Sequence, residues 1–371
     1  MKIVKLKDIS VNNRGYYGIG ASAVDYDADK YTYLRITDIN DDGSLNKKDL
    51  MSVDDEKANQ YLLQKNDIVF ARTGASAGRN YFYDGEIENM VYAGFLIKFS
   101  LNSNLVNPRY IKYYCLSQKY KNWILSSITG STRPNINEKQ LADMPIELPE
   151  REYQDKVVKM IDALTNKIKL NNEINNNLYE EAVALYKDKF KGINQDKKTI
   201  GDYIVPKRGK NLLTRDAIDG DTPIVAGGIE PSAYHNQFNT KSPVITISAS
   251  GANAGYTNLW SIPVWASDCS YIDDSITKNV YFWYIVLKTR QNEIFDVQTG
   301  SAQPHIYPQH IAEMSIGELN INEVEKYNNL VAPLFKMIGE NQKENKKLSQ
   351  LRDTLLPKLM NGEINLDNIE I

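Results

Sequence analysis

The sequence predicts an α+β chain in which two pseudo-repeated α/β domains are separated by two long helices that form an intramolecular antiparallel coiled coil. Three observations predict it. A motif occurs twice, as T-G-S-T-R-P-N-I from Thr129 and as T-G-S-A-Q-P-H-I from Thr299. A glycine-rich stretch also occurs twice, as IVFARTGASAG (Ile68–Gly78) and VITISASGANAG (Val244–Gly255). After each T-G-S motif comes a long passage whose apolar residues step by four and three, the spacing of a helical seam.

The numbering makes the duplication measurable. Thr129 and Thr299, Pro134 and Pro304, Ile136 and Ile306, and Met144 and Met314 are all 170 apart, and so are Asn171 and Asn341. The glycine-rich stretches are 177 apart, so the copies differ by a short insertion or deletion. A period this long means duplicated domains and excludes a solenoid. The expected boundaries are a first domain over 1–148, a helical region over 149–192, a second domain over 193–319 and a second helical region over 320–371.

In the first domain, YTYLRITDIN (Tyr31–Asn40) and DIVFARTGASAGRN (Asp67–Asn80) have strand composition. NPRYIKYYCLSQKYKNWIL (Asn107–Leu125) predicts a helix with Asn107 as cap and Pro108 at its first position. The first seam is Val157, Ile161, Leu164, Ile168, then Leu178, Ala182 and Leu185, with Asn171 and Asn175 filling the two steps between. In the second domain, SPVITISASGANAG (Ser242–Gly255) is a strand entering a turn, and NVYFWYIVLKTRQNEIF (Asn279–Phe295) matches the earlier helix. The second seam runs Tyr327, Val331, Leu334, Ile338, then Asn341 and Asn345, then Leu348, Arg352 and Leu355. Asparagine on a seam costs stability and fixes register, because each amide needs a partner. In an antiparallel pair Asn171 faces Asn345 and Asn175 faces Asn341. Pro333 interrupts the second pattern, either as a first-turn proline or as a kink. About forty residues per helix is on the order of 60 Å. A shaft of that length holds two domains apart and suits a ligand with two sites on one face, such as duplex DNA with its repeat of about 34 Å.

Composition narrows the function. The 371 residues are 42% hydrophobic and 25% charged, with no apolar run of membrane length and no apolar core in MKIVKLKDIS, so a cytoplasmic chain without membrane contact is expected. Cys115 and Cys269 lack metal spacing and read as buried small hydrophobes. A net charge of −3 argues against an unspecific polyanion binder but not against a site-specific one. The glycine-rich turn of the first half offers Arg72, Thr73, Ser76, Arg79 and Asn80; that of the second offers Ser248, Ser250 and Asn253. Arginine pairs with guanine and asparagine with adenine, so these are candidate DNA contacts. Arg133, Asn135, Gln303 and His305 are candidates because the two T-G-S motifs differ there, while their shared Gly and Pro read as scaffold. Lys207, Arg208 and Lys210, in VPKRGKN, are candidate phosphate contacts.

The domain order, the two T-G-S motifs, MPIELP before the first helix and the ending NKKLSQLRDTLLPKLMNGEINL (Asn345–Leu366) resemble the specificity subunit of type I restriction–modification enzymes over essentially the whole chain. The family's usual L-P-P-L-x-E-Q lead-in is LPEREYQ (Leu148–Gln154) here, and the second copy has lost its Leu-Pro. The resemblance implies two target-recognition domains, each reading one half of a split double-stranded DNA site. It implies helices that set the gap and dock two methyltransferase subunits, with restriction subunits joining that core. NPRY (Asn107–Tyr110) is near the N-P-P-Y loop of amino-methyltransferases but has Arg109 at the third position and no glycine-rich S-adenosylmethionine loop before it. GASAGRN lacks the G-K-[ST] of a phosphate loop, no P-D…E-x-K or H-E-x-x-H occurs, and His305 and His310 have no third ligand. The chain is therefore expected to bind no cofactor and no metal and to catalyse nothing. S-adenosylmethionine, ATP and Mg are expected on partner subunits. Two other readings stay open: a detached specificity chain of a type II-like restriction–methylation enzyme, and a coiled-coil scaffold that binds no DNA.

Overall fold

A computed structural model of the chain describes residues 1–128, 134–191, 198–300 and 303–366. The chain divides into two compact units, one of residues 1–166 with the described residues from Leu348 onward, the other of residues 167–347. Each unit contains three sheets, alike except that the one with a parallel pair has four strands in the first unit and three in the second.

In the first unit a four-stranded antiparallel sheet has the order Tyr16–Tyr17, Leu96–Ser100, Asp67–Ala71, Asn80–Tyr83. In the second the order is Lys207–Arg208, Cys269–Asp273, Val244–Ser248, Thr257–Trp260. The central strands DIVFA and VITIS are buried at every position, which is why each reads as a β-branched and aromatic run without alternation. A second sheet holds a parallel pair in each unit, Tyr31–Leu34 with Met90–Tyr92 and Thr222–Val225 with Trp265–Ala266. The third is a two-stranded pairing of each domain's first strand with the strand before its long helix: Lys2–Lys5 with Pro145–Leu148, and Lys198–Thr199 with Ser315–Ile316.

The long helices are Arg151–Lys189 and Ile321–Met360, 39 and 40 residues. They pack together antiparallel. Within the second unit Tyr327 Oη donates to the Ala182 carbonyl at 2.7 Å, and Lys189 pairs with Glu323 at 3.0 Å. Within the first, Tyr153 Oη donates to the Leu359 carbonyl at 3.0 Å. The seam residues are buried or half-buried along both helices. Asn171, 1% exposed, donates to Asn345 Oδ1 at 2.8 Å and to Glu344 Oε2 at 2.7 Å. Asn341 donates to Asn175 Oδ1 at 2.8 Å. The second helix runs through Pro333, which rules out a first-turn role. The proline lies on the exposed face, where water can satisfy the carbonyl that lacks an N–H partner.

Both domain helices are shorter than their apolar pattern predicts. The first is Pro108–Tyr114, capped by Asn107, followed by Gln118–Ser127, capped by Ser117. Its counterpart is Val280–Thr289 followed by Gln291–Asp296, and Asn279 makes no side-chain cap. The Tyr31–Asn40 stretch is a strand only to Leu34 and then a 3-10 turn over Ile36–Asp38. Arg109, at the third position of NPRY, pairs with Asp162 of the first long helix at 2.9 Å. Both cysteines are free and buried, and burial pushes the Cys269 thiol up to about 12. No described helix is long and apolar enough to cross a membrane.

Candidate nucleic-acid interface

The two repeated motifs meet in each unit. After strand Asp67–Ala71 the chain turns through Gly74, whose N–H donates to the Pro134 carbonyl at 2.9 Å, while the Ile136 N–H donates to the Arg72 carbonyl at 2.9 Å. In the second unit the Gly251 N–H donates to Pro304 at 3.0 Å and the Ile306 N–H to Ala249 at 2.9 Å. Thr73 thereby bridges Asn135, and Ser250 bridges His305. The glycine-rich turn and the Pro-x-Ile end of the T-G-S motif thus join in each unit through the same four backbone groups.

The two glycines of each turn have different tasks. Gly74 and Gly251 have φ of +69° and +82°, and a Cβ on either would meet nothing within 4 Å. They need glycine for the turn alone. Gly78 and Gly255, also left-handed, sit on a helix: a Cβ would lie 2.4 Å from Ile124 Cγ2 in one unit and 2.9 Å from Ile294 Cγ2 in the other. Their carbonyls accept from Tyr120 Oη at 2.5 Å and Gln291 Nε2 at 2.8 Å. The close approach expected at these glycines is made to the protein's own helix.

Residues 1–180 match the family model described as the type I restriction modification DNA specificity domain. That stretch, just under half of the chain, carries the type I specificity domain. The type I restriction enzyme HindI specificity subunit of Haemophilus influenzae is 28% identical over 167 residues, 43% of this chain and 36% of that protein. The MjaIX specificity subunit of Methanocaldococcus jannaschii is 25% identical over 299 residues, 69% of each chain. The crystal structure of a type I S subunit from M. genitalium has the same fold, with a TM-score of 0.61 at 18% identity over 96% of this chain and 95% of that one.

The structure places the candidate residues differently. Arg72, Thr73, Ser76 and Asn135 gather at the first turn, and Ser250, Asn253, Gln303 and His305 at the second. Thr73 is buried, and His305 stacks on Tyr307 with its Nδ1 at 2.7 Å from the Gln303 carbonyl. Ser248 lies below the surface in its strand. Lys207 and Lys210 are exposed beside the second turn, on and just after the edge strand, and Arg208 of the same strand pairs with Asp268 at 2.6 Å. Asn80 turns inward instead, and Arg79, half-buried, is held in an ion pair at the surface. Arg79 pairs with Asp41 at 2.6 Å and donates to the Ile39 carbonyl at 3.2 Å, and Asn80, 6% exposed, donates to the Cys115 carbonyl at 3.1 Å. The Asn80 side chain, at the start of a buried strand, points into the fold, and a polar group there must find an internal partner. Arg133 lies outside the described residues. Among the described residues no cluster of histidine, cysteine and carboxylate could hold a metal ion.

Three residues beside these turns carry no repeated motif and were not singled out by the sequence: Tyr17, Phe95 and Asp268. Arg72 lies over the Tyr17 ring at 5.0 Å, and its backbone N–H donates to the Phe95 carbonyl at 3.0 Å. The Ser250 hydroxyl donates to Asp268, whose backbone carbonyl accepts from Ala249 N–H at 3.1 Å.

Proposed function

We propose that this chain is the sequence-specific DNA-recognition subunit of a type I restriction–modification complex. Each domain reads one half of a bipartite, non-palindromic site in double-stranded DNA. The paired helices set the gap between the halves and dock two methyltransferase subunits, and restriction subunits join that core. The chain catalyses nothing itself; S-adenosylmethionine, ATP and Mg belong to the partners, and the complex works in the cytoplasm.

The observation that carries this reading is the repetition of one backbone frame with different side chains on it. A pair of scaffolding domains has no need to hold a turn and a loop together by the same bonds while varying the residues they display. Two readers of unlike half-sites do, since phosphate and shape contacts tolerate a shared frame while base contacts must differ. Adenine-methylation mapping of cells with and without this gene tests it. The expected result is a split, asymmetric methylated sequence that disappears with the gene. An unchanged methylome would contradict the reading. In vitro, the chain with its methyltransferase partner should lose DNA affinity steeply as salt rises, whereas a scaffold would show no site-specific binding at any salt.

A further inference from the structure

Arg72 in the first unit and Arg208 in the second stand beside the turns, and the two are held differently. The surrounding backbone is again duplicated. Gly18 N–H donates to the Leu96 carbonyl at 3.2 Å and Gly209 N–H to that of Cys269 at 2.8 Å; Ile19 donates to Tyr92 at 3.0 Å and Lys210 to Ala266 at 2.9 Å. A Cβ on Gly18 would lie 2.2 Å from the Tyr92 carbonyl oxygen, and one on Gly209 would lie 2.4 Å from that of Ser267. Tyr17 therefore occupies the place of Arg208. By the same matching Arg72 stands where Ala249 stands, and Phe95 where Asp268 stands, since Arg72 N–H donates to Phe95 as Ala249 N–H donates to Asp268.

In the first unit the arginine is on the turn and the neighbouring strand supplies an aromatic face. The Arg72 guanidinium lies over Tyr17, whose hydroxyl is fixed by the Glu138 N–H at 3.2 Å. Arg72 Nε is buried without a hydrogen-bond partner among the described residues, and Phe95 beside it is 53% exposed. In the second unit the arginine is on the strand and the acid comes from the place of Phe95. Arg208 Nη2 donates to Asp268 Oδ1 at 2.6 Å, while the Ser250 hydroxyl occupies Asp268 Oδ2.

We propose that Arg72 and Arg208 each read a guanine, one in each half of the target, and that Tyr17 and Asp268 are the positioning residues that aim them. This rests on the DNA-reading function above. Reading the O6 and N7 of guanine needs a guanidinium presented as a planar fork, and holding the plane beforehand removes the cost of ordering it on binding. Stacking on a ring holds the plane and leaves the N–H groups available. A carboxylate on one edge does the same and leaves the other edge available. Arg208 is a poor phosphate clamp for the same reason, because Asp268 already balances its charge and would itself be repelled by a phosphate. The assignment therefore moves Arg208 from backbone contact to base contact.

The test is methylation mapping in cells carrying the complete system with Arg72→Ala, Arg208→Ala, Arg208→Lys or Asp268→Asn. The expected result for Arg72→Ala is relaxation of a single G·C pair in one half-site. Arg208→Ala should relax a single G·C pair in the other half, each with roughly a 10–100-fold loss of discrimination. Arg208→Lys keeps the charge and loses the fork, so it should relax the same pair even if the alanine variant fails to fold. Asp268→Asn should relax that pair more weakly and leave every other position intact. An unchanged target, relaxation at an A·T pair, or a uniform loss of marking at all positions would overturn the assignment, the last pointing to phosphate contact. If the wild-type system leaves no split mark at all, the DNA reading fails instead.

Discussion

The two units hang unlike side chains on one hydrogen-bonding pattern. Where the first presents Tyr17, Arg72 and Phe95, the second presents Arg208, Ala249 and Asp268, yet the backbone groups at these positions make the same bonds. The glycines behave alike in both units, and the residues displayed do not. That difference separates frame from reader. Positions whose Cβ would strike another part of the fold are fixed by packing, and positions that face outward from the same turn vary freely. The duplication thus allows two recognition surfaces to diverge without redesigning either fold.

The comparison can be broken or sharpened by experiment. The largest expected effect is on thiol reactivity. Cys115 lies in the first unit and Cys269 in the second, both are buried, and burial raises the pKa of both thiols. Each should react with a thiol reagent on the order of 10³-fold more slowly than in denaturant, because opening of its own unit is required. Reading the two rates separately, with single-cysteine variants, shows whether the units open together. Fast labelling of either thiol in the native protein would contradict the packing described here.

Next come the turn glycines. Gly78→Ala should destabilise the first unit by about 2–4 kcal/mol, from left-handed strain plus the clash with Ile124. Gly255→Ala, with a longer approach to Ile294, should cost somewhat less. Gly74→Ala and Gly251→Ala should cost about 1 kcal/mol each, from the backbone alone. Denaturant titration of the four variants gives the order, and equal costs across the four would mean that the second glycine has no special packing role.

The helix seam should show a smaller effect of opposite sign. Replacing both Asn171 and Asn345 with leucine should raise stability by about 1–2 kcal/mol, since Asn171 Oδ1 has no hydrogen-bond partner among the described residues. A fall in stability would mean that the amide pair is a net stabiliser.

The smallest expected effect separates the units by pH. Hydrogen bonds from Lys7 and Lys5 hold the Asp143 carboxyl at about 2, below the ordinary carboxylate range. Its contribution is full above about pH 4 and is lost as pH falls toward 2. In the second unit the matching acid, Glu313, faces Gln309 instead of lysines. The acid sensitivity of the first unit should therefore be reduced by Asp143→Asn, measured by stability at pH 3 against pH 6.

Much of this architecture is legible in the residues. The T-G-S and glycine-rich repeats locate both domains. The four-three steps give the length and direction of the helix pair, down to which asparagines meet. What the sequence hides has physical causes. The apolar run Asn107–Leu125 conceals a break at Cys115–Ser117, because a half-turn between two short helices leaves the buried face unbroken. Asn80 has the residue type of a DNA contact, but it begins a buried strand and its amide is spent on the Cys115 carbonyl. Tyr17 and Arg208 sit in matched strands of two residues, too short to register as a repeat, and only the bonds of Gly18 and Gly209 reveal that the two positions correspond.

The central claim is that one chain carries two independent readers. Replacing residues 1–145 with the corresponding domain of a family relative, then mapping methylation, tests it most directly. The expected outcome is a target whose one half is new and whose other half and gap length are unchanged. A change in both halves, or in neither, would contradict it.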